Sequence, residues 1–143
     1  MTVLAPPLRH RHVPGADATS EAIAQGDWQF TGERGLLLLF VKAGKEAQFK
    51  GVLEMLRSTL EKSPDARRRE QARGWRVMKV NGNGPSGTIV YLSVLDPVVP
   101  GVNYAPSSIF SDALDGEALA RAYADYADAM SSFNLIDLTQ VRP

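Results

Sequence analysis

The stretch that decides the fold is Leu36-Leu37-Leu38-Leu39-Phe40-Val41, together with a second apolar run at Ile89-Val90-Tyr91-Leu92-Ser93-Val94-Leu95. Both runs are predicted to be strands, and successive side chains of a strand point to opposite faces of its sheet. Because these strands are apolar on both sides, both faces of the sheet must be shielded from water.

The sequence offers two good amphipathic helices to cover that sheet. The first is predicted over residues 45–62, and its apolar stripe is Phe49, Val52, Leu53, Leu56 and Leu60. The second is predicted to be capped by Ser111 or Asp112, and its stripe is Leu119, Ala122, Tyr123, Tyr126 and Met130. Two helices on one face leave the other face to a second sheet. A chain of this length obtains a second sheet most simply from a copy of itself, so the sequence predicts a homodimer.

The remaining segments are assigned by their turn residues and apolar spacing. Residues 1–33 are predicted to be an extended or partly ordered leader, with a short helix at 20–25 and with Trp28 and Phe30 as anchors. A single domain is predicted over 34–143. Its further strands are predicted at 75–80, 88–96 and 134–141, after a first strand at 35–42.

Three connections carry specific expectations. A short helix is predicted to begin with Ser63 as its cap and to end at Gly74. The glycine-rich segment 81–87 joins two strands and lacks the lysine of a phosphate-binding loop, so it is predicted to be a hairpin turn. Residues 97–111 are predicted to be an ordered, proline-containing connection and not a further strand.

The resulting order is strand, helix, strand, strand, helix, strand, which predicts an α+β fold with a ferredoxin-like βαββαβ arrangement, an antiparallel sheet and two helices on one face. Over roughly residues 35–141 the chain resembles the dimeric α+β barrel superfamily, and this resemblance implies a sheet-to-sheet homodimer. More narrowly, Leu95-Asp96-Pro97-Val98-Val99-Pro100-Gly101-Val102-Asn103-Tyr104 and Asn134-Leu135-Ile136-Asp137-Leu138 are similar to segments of a group of small uncharacterised bacterial proteins. Members of that group are often preceded by a secretion signal. This similarity carries over no catalytic residue.

Composition excludes several chemistries. Sixteen basic residues balance sixteen acidic ones, which argues against nucleic acid as a partner. The chain has no cysteine, and its two histidines, His10 and His12, lie in the leader between arginines. No haem, metal or other cofactor is therefore predicted. No segment is apolar enough to span a bilayer, so the chain is expected to be soluble, either cytoplasmic or an exported mature form without its signal peptide.

A basic segment follows the first long helix. Its members are Arg67, Arg68, Arg69, Arg73, Arg76 and Lys79. Asp65 and Glu70 dilute this charge, so a solvated face is the favoured interpretation. Binding of an anion or an acidic surface is the alternative.

Seven residues are candidates for a ligand site between the sheet and the helices: Trp75, Tyr91, Asn103, Tyr104, Tyr123, Tyr126 and Asp137. Aromatic side chains with a few polar tips are typical of small-molecule sites, although the same spacing also fits a packed core. Asp137 lies within an apolar strand, where a carboxylate must be paired, exposed at an edge or protonated.

Two functions stay open at this stage. One is a binding or assembly module that pairs with itself and holds a small apolar ligand. The other is a cofactor-independent enzyme of the monooxygenase, isomerase or cyclase type, acting on a small apolar or aromatic substrate, as the resemblance implies.

Overall fold

The computed structural model describes residues 11–13 and 27–143, and within them the chain forms an α+β fold. The predicted helix at 20–25 lies outside the described residues. The strands are β1 Arg11–Val13, β2 Arg34–Val41, β3 Trp75–Lys79, β4 Ile89–Leu95 and β5 Met130–Leu138. The helices are α1 Glu46–Glu61, α2 Ala66–Arg73, α3 Pro106–Ser111 and α4 Gly116–Ala129.

The described strands form one antiparallel sheet in the order β1-β5-β2-β4-β3. The strand β2 is central, and its Leu37 lies opposite Ser93 of β4 and Leu135 of β5. The short strand β1, which the sequence did not predict, pairs with β5 and places His12 opposite Asn134. At the other edge of the sheet, β3 pairs only with β4 among the described strands.

The two faces of the sheet differ in their cover. Leu37, Leu39 and Val41 are buried, while the side chains between them along β2 keep part of their surface exposed. On the buried face, the Phe49 ring of α1 packs against the Tyr91 ring of β4, with centroids 4.9 Å apart. Because α1 contacts the three other described helices, these helices form one layer on that face.

The segment that precedes β2 is fixed by its aromatic residues. Trp28 is buried and stacks on Phe133 of β5 at 4.7 Å, and Phe30 is also buried. These contacts agree with the predicted anchoring role of Trp28 and Phe30. Stacked aromatic pairs add to the free energy already gained from burying their area.

Three sequence-based boundaries are wrong. The cap of α2 is Asp65, whose carboxylate accepts the Arg67 N–H at 2.9 Å, while the hydroxyl of the predicted cap Ser63 accepts the Asp65 N–H instead. The last long helix begins after Asp115, because Pro106 starts the separate helix α3 and Asp112 ends it. This short helix also occupies the end of the predicted connection.

The third error concerns the final strand, which begins at Met130 and not at Asn134. The backbone passes from α4 into the extended conformation at Met130, with φ −91° and ψ 138°, without an intervening loop. Met130 is therefore a buried strand residue and not the end of a helical stripe.

Candidate functional site

A cavity of about 280 Å³ lies between α1, α2 and the edge strand β3; we call it the edge cavity. Its apolar wall is formed by Leu53, Leu56, Leu60, Ala72, Trp75 and Val77. The cavity adjoins a wider groove of about 650 Å³, because Arg57, Ala72, Trp75 and Val77 line both spaces.

The position of Trp75 follows from the end of α2. Gly74 ends this helix, and the chain enters β3 at the next residue. A Cβ at position 74 would lie 2.7 Å from the Pro97 carbonyl oxygen, so glycine is the residue that lets these two backbones approach. The indole of Trp75 then lies beneath the helix layer, 7% exposed.

Arg57 fixes α1 against the sheet edge. Its Nη2–H donates to the Trp75 carbonyl at 2.8 Å, and its Nη1–H donates to the Ala72 carbonyl at 3.4 Å. The same guanidinium lies 3.6 Å from the Glu61 carboxylate. These contacts hold the two long walls of the edge cavity at a set separation.

Two buried polar groups near the cavity have no hydrogen-bond partner within the described residues. They are the indole Nε1–H of Trp75 and the hydroxyl of Ser93. Ser93 lies directly opposite Val77 in the sheet, and Val77 and Trp75 line the cavity. Few buried polar groups stay unpaired in native proteins, and each one calls for an explanation such as a functional role or a bound water or ion.

Four arginines line the wider groove and make it basic: Arg57, Arg69, Arg73 and Arg76. We call this space the arginine groove. Glu61 is the acidic residue in its lining, and Glu54 lies at the edge cavity. Arg69 donates to the Ser63 carbonyl at 2.6 Å. The guanidinium groups of Arg73 and Arg76 contact no acceptor within the described part of the chain.

The structure brings two of the predicted site residues together. The rings of Trp75 and Tyr104 lie 5.7 Å apart. The Tyr104 side chain is 1% exposed, its hydroxyl accepts the Val99 N–H at 2.9 Å, and burial raises the pKa of this phenol. The neighbouring Asn103 carboxamide oxygen accepts the N–H groups of Trp28 and Ala105, both at 2.8 Å.

Tyr91 lies apart from that pair. Its hydroxyl donates to the Glu46 carboxylate at 2.6 Å, and Lys79 lies 2.7 Å from the same oxygen. Burial and this hydrogen bond raise the pKa of Tyr91. The contacts from Lys79 and Tyr91 lower the pKa of Glu46.

The other predicted residues are also separated. Tyr123 donates to the Ser107 carbonyl at 3.3 Å, and Tyr126 is fully buried, which raises the pKa of its hydroxyl. The Asp137 carboxylate accepts the Thr31 N–H at 3.0 Å, the Thr31 hydroxyl at 2.8 Å and the Gly32 N–H at 3.3 Å. Asp137 is therefore paired, which is one of its predicted states. Ligand binding by this set of seven stays a prediction, and within it Trp75 lines the edge cavity.

Sequence reasoning missed Arg68, which is buried and does not belong to a solvated face. Its guanidinium donates to Asp112 at 2.7 Å, Gln71 at 2.8 Å, the Asn103 carbonyl at 2.6 Å and Ser108 at 2.8 Å. The available signal was helical spacing, because Arg68, Gln71 and Ala72 share one side of α2. Sequence reasoning also did not consider Arg57, which lines both the edge cavity and the wider groove.

Comparison of the chain with protein-family models, curated proteins and solved structures returns no match. The resemblance to the dimeric α+β barrel superfamily and to the bacterial group thus stays a sequence-based interpretation. Among the described helices, none has the length and apolar character needed to cross a membrane. Within the same residues, no three His, Asp or Glu side chains are grouped as metal ligands.

Proposed function

We propose that this chain is a homodimeric module that binds a small molecule in the edge cavity of each protomer. The observation that carries this proposal is the apolar cavity beside Trp75, whose buried indole N–H has no partner among the described residues. Small-molecule sites commonly combine an apolar wall with a few polar groups that orient the ligand. The Trp75 ring forms part of the apolar wall, and Glu54 and Arg57 are the polar residues of the cavity lining.

The sheet face opposite the described helices supports the dimer. We call it the open face, and its apolar members are Leu36, Leu38, Phe40, Leu92, Val94 and Ile136. These side chains are partly exposed, and Arg34 and Arg76 border them. An apolar centre with a polar border is the usual composition of a subunit interface, and a two-fold axis makes one such patch complementary to itself.

The strand order is compatible with that assembly. The four long strands follow the sheet order β5-β2-β4-β3, and this order supports the ferredoxin-like arrangement that we propose. In the proposed dimer, the two open faces pack together as in the dimeric α+β barrel arrangement. A stable interface of this kind buries on the order of 1,600 Å² in total.

Binding is favoured over catalysis by the surroundings of the ionisable candidates. Asp137 is held by Thr31 and Gly32, and Tyr91 is held by Glu46. Neither residue lines the edge cavity. A general acid or base must lie within hydrogen-bond reach of the group that it protonates or deprotonates.

Native mass spectrometry of protein purified from the cells that make it tests the proposal. The expected spectrum is a dimer that carries one small-molecule adduct per protomer. The variant Leu53→Trp places a large ring in the cavity and is expected to lose the adduct. The control Met55→Trp adds the same ring at an exposed position of α1 and is expected to keep the adduct. Circular dichroism checks that both variants are folded. An adduct on Leu53→Trp equal to that on Met55→Trp contradicts this location of the site.

A further inference from the structure

We infer that the ligand of the edge cavity is an amphipathic organic anion, with an apolar body in the cavity and an anionic head at the arginine groove. This inference rests on the proposed binding function and adds the chemical class of the ligand. Its evidence is an apolar cavity that adjoins a strongly basic groove and shares four lining residues with it.

The charge balance of the lining favours an anion. Four arginines face the groove against one acidic residue, Glu61, and Glu54 adds a second acidic side chain at the cavity. The chain as a whole has equal numbers of basic and acidic residues, so this surface departs from the average. Guanidinium groups bind carboxylate and phosphate heads through charge-assisted, often bidentate, hydrogen bonds.

Two of these arginines are available for the head group. Arg57 and Arg69 already donate to backbone carbonyls, at 2.8 Å to Trp75 and 2.6 Å to Ser63. Arg73 ends α2 and Arg76 lies on β3, and neither donates to an acceptor within the described residues. They approach the groove from different elements, which suits a head group held between them.

The edge cavity determines the size and polarity of the part of the ligand that it holds. Leu53, Leu56 and Leu60 line it from α1, and the Trp75 ring lines it from β3. A volume of about 280 Å³ admits a short alkyl chain or a single aromatic ring, so a small carboxylate fits better than a lipid with two chains.

Titration with octanoate, followed by two-dimensional ¹H–¹⁵N NMR, tests the inference. The chain has two tryptophans, so its two indole N–H signals act as reporter and internal control. Octanoate is expected to shift the Trp75 signal and leave that of Trp28 in place. Hexanoate is expected to bind more weakly by about fourfold for each methylene removed. Octanamide, which has the same chain without the charge, is expected to bind about tenfold more weakly than octanoate or worse.

Variants locate the head group. The double variant Arg73→Gln/Arg76→Gln is expected to weaken octanoate binding by about tenfold or more. Arg121→Gln, at an exposed position of α4, is the matched control and is expected to retain the wild-type affinity. Because Arg76 borders the open face, the oligomeric state of every variant is measured in the same buffer by sedimentation.

Three results would overturn the inference. The first is that the Trp75 signal does not move when octanoate reaches about 5 mM. A dissociation constant above that concentration is too weak for specific binding. The second is that octanamide binds as tightly as octanoate. This result would exclude an anion as the ligand and would leave the proposed binding function intact. The third is equal loss of affinity in the double variant and in Arg121→Gln. If no adduct is present in native spectra either, the proposed function fails together with this inference.

Discussion

The Nε–H of Arg68 donates to the Asp112 carboxylate at 2.7 Å, joining the buried side of α2 to the end of α3. The same guanidinium binds the Asn103 carbonyl and the Ser108 hydroxyl, so one side chain from α2 holds the connection between β4 and α4 at three points. An arginine from the basic segment is thus a structural clamp.

Replacement of Arg68 tests this clamp. Arg68→Met removes the charge and the hydrogen bonds that this guanidinium donates to Asn103 and Gln71, so we expect a loss of about 2 to 4 kcal/mol in the free energy of unfolding. Asp112→Asn is expected to cost about 1 kcal/mol or less, because the Asp112 side chain is 43% exposed and its pairing is screened by water. Urea denaturation measures both. A smaller loss in Arg68→Met than in Asp112→Asn would contradict the clamp.

Tyr104 is expected to stabilise the protomer and not the subunit interface. Its ring packs on Phe30 at 5.5 Å and on Trp75 at 5.7 Å within one chain. Tyr104→Ala is expected to lower stability by about 3 to 4 kcal/mol, and Tyr104→Phe by about 1 to 2 kcal/mol, since phenylalanine leaves the Val99 N–H without an acceptor. Thermal unfolding across protein concentration measures the loss, which should be the same at every concentration. A loss that shrinks as concentration rises would assign Tyr104 to the interface.

Asp137 is expected to anchor the segment before β2. Its carboxylate accepts two backbone N–H groups, from Thr31 and Gly32. Asp137→Ala is therefore expected to accelerate amide hydrogen exchange at these two residues and to lower stability by about 1 to 2 kcal/mol. The amide of Val41, at the far end of β2, is the internal control. Unchanged exchange at residues 31 and 32 would show that the carboxylate does not hold this segment.

Glu46 is expected to make stability depend on pH in the acidic range. Hydrogen bonds from Lys79 and then Tyr91 lower the pKa of this carboxyl in the folded chain below its ordinary value of 4.5. A carboxyl with a lowered folded pKa stabilises the fold above its unfolded pKa, and the contribution disappears as pH falls through the folded pKa. The unfolding midpoint of the wild type should thus exceed that of Glu46→Gln at pH 6, and the gap should close as the pH falls below 4.5. A gap that widens on acidification would reverse this assignment.

The sequence predicted the central strands well because their signal is local. The run ending at Val41 is wholly apolar and the run ending at Leu95 is interrupted only by Ser93, and the structure places them side by side as β2 and β4. The connection at residues 97–111 was predicted to be ordered and not a further strand, and Val98, Tyr104 and Phe110 within it are buried. One boundary was wrong because no glycine or proline marks the change. The passage from Ala129 to Met130 is such a place, since the helix becomes a strand within a single step.

The candidate site was less predictable because its walls come from separate elements. Trp75 was a candidate from its residue type, but the cavity beside it requires Leu53 and Leu60 of α1 to face Ala72 of α2. The spacing of apolar residues along one helix predicts which face of that helix is buried, but it does not predict which element packs against that face. The same reason explains Arg68, whose acceptors lie more than 30 residues away in sequence, apart from Gln71.

Sedimentation equilibrium of the full chain at micromolar concentration tests the dimer through the open face most directly. The wild type is expected to have twice the 15.6 kDa mass of the chain. Leu38→Glu, at the centre of the open face, is expected to be a folded monomer, while Met55→Glu, an equally drastic change on the exposed side of α1, should remain a dimer. A wild-type monomer throughout the micromolar range, or a Leu38→Glu variant that stays dimeric, would contradict the account.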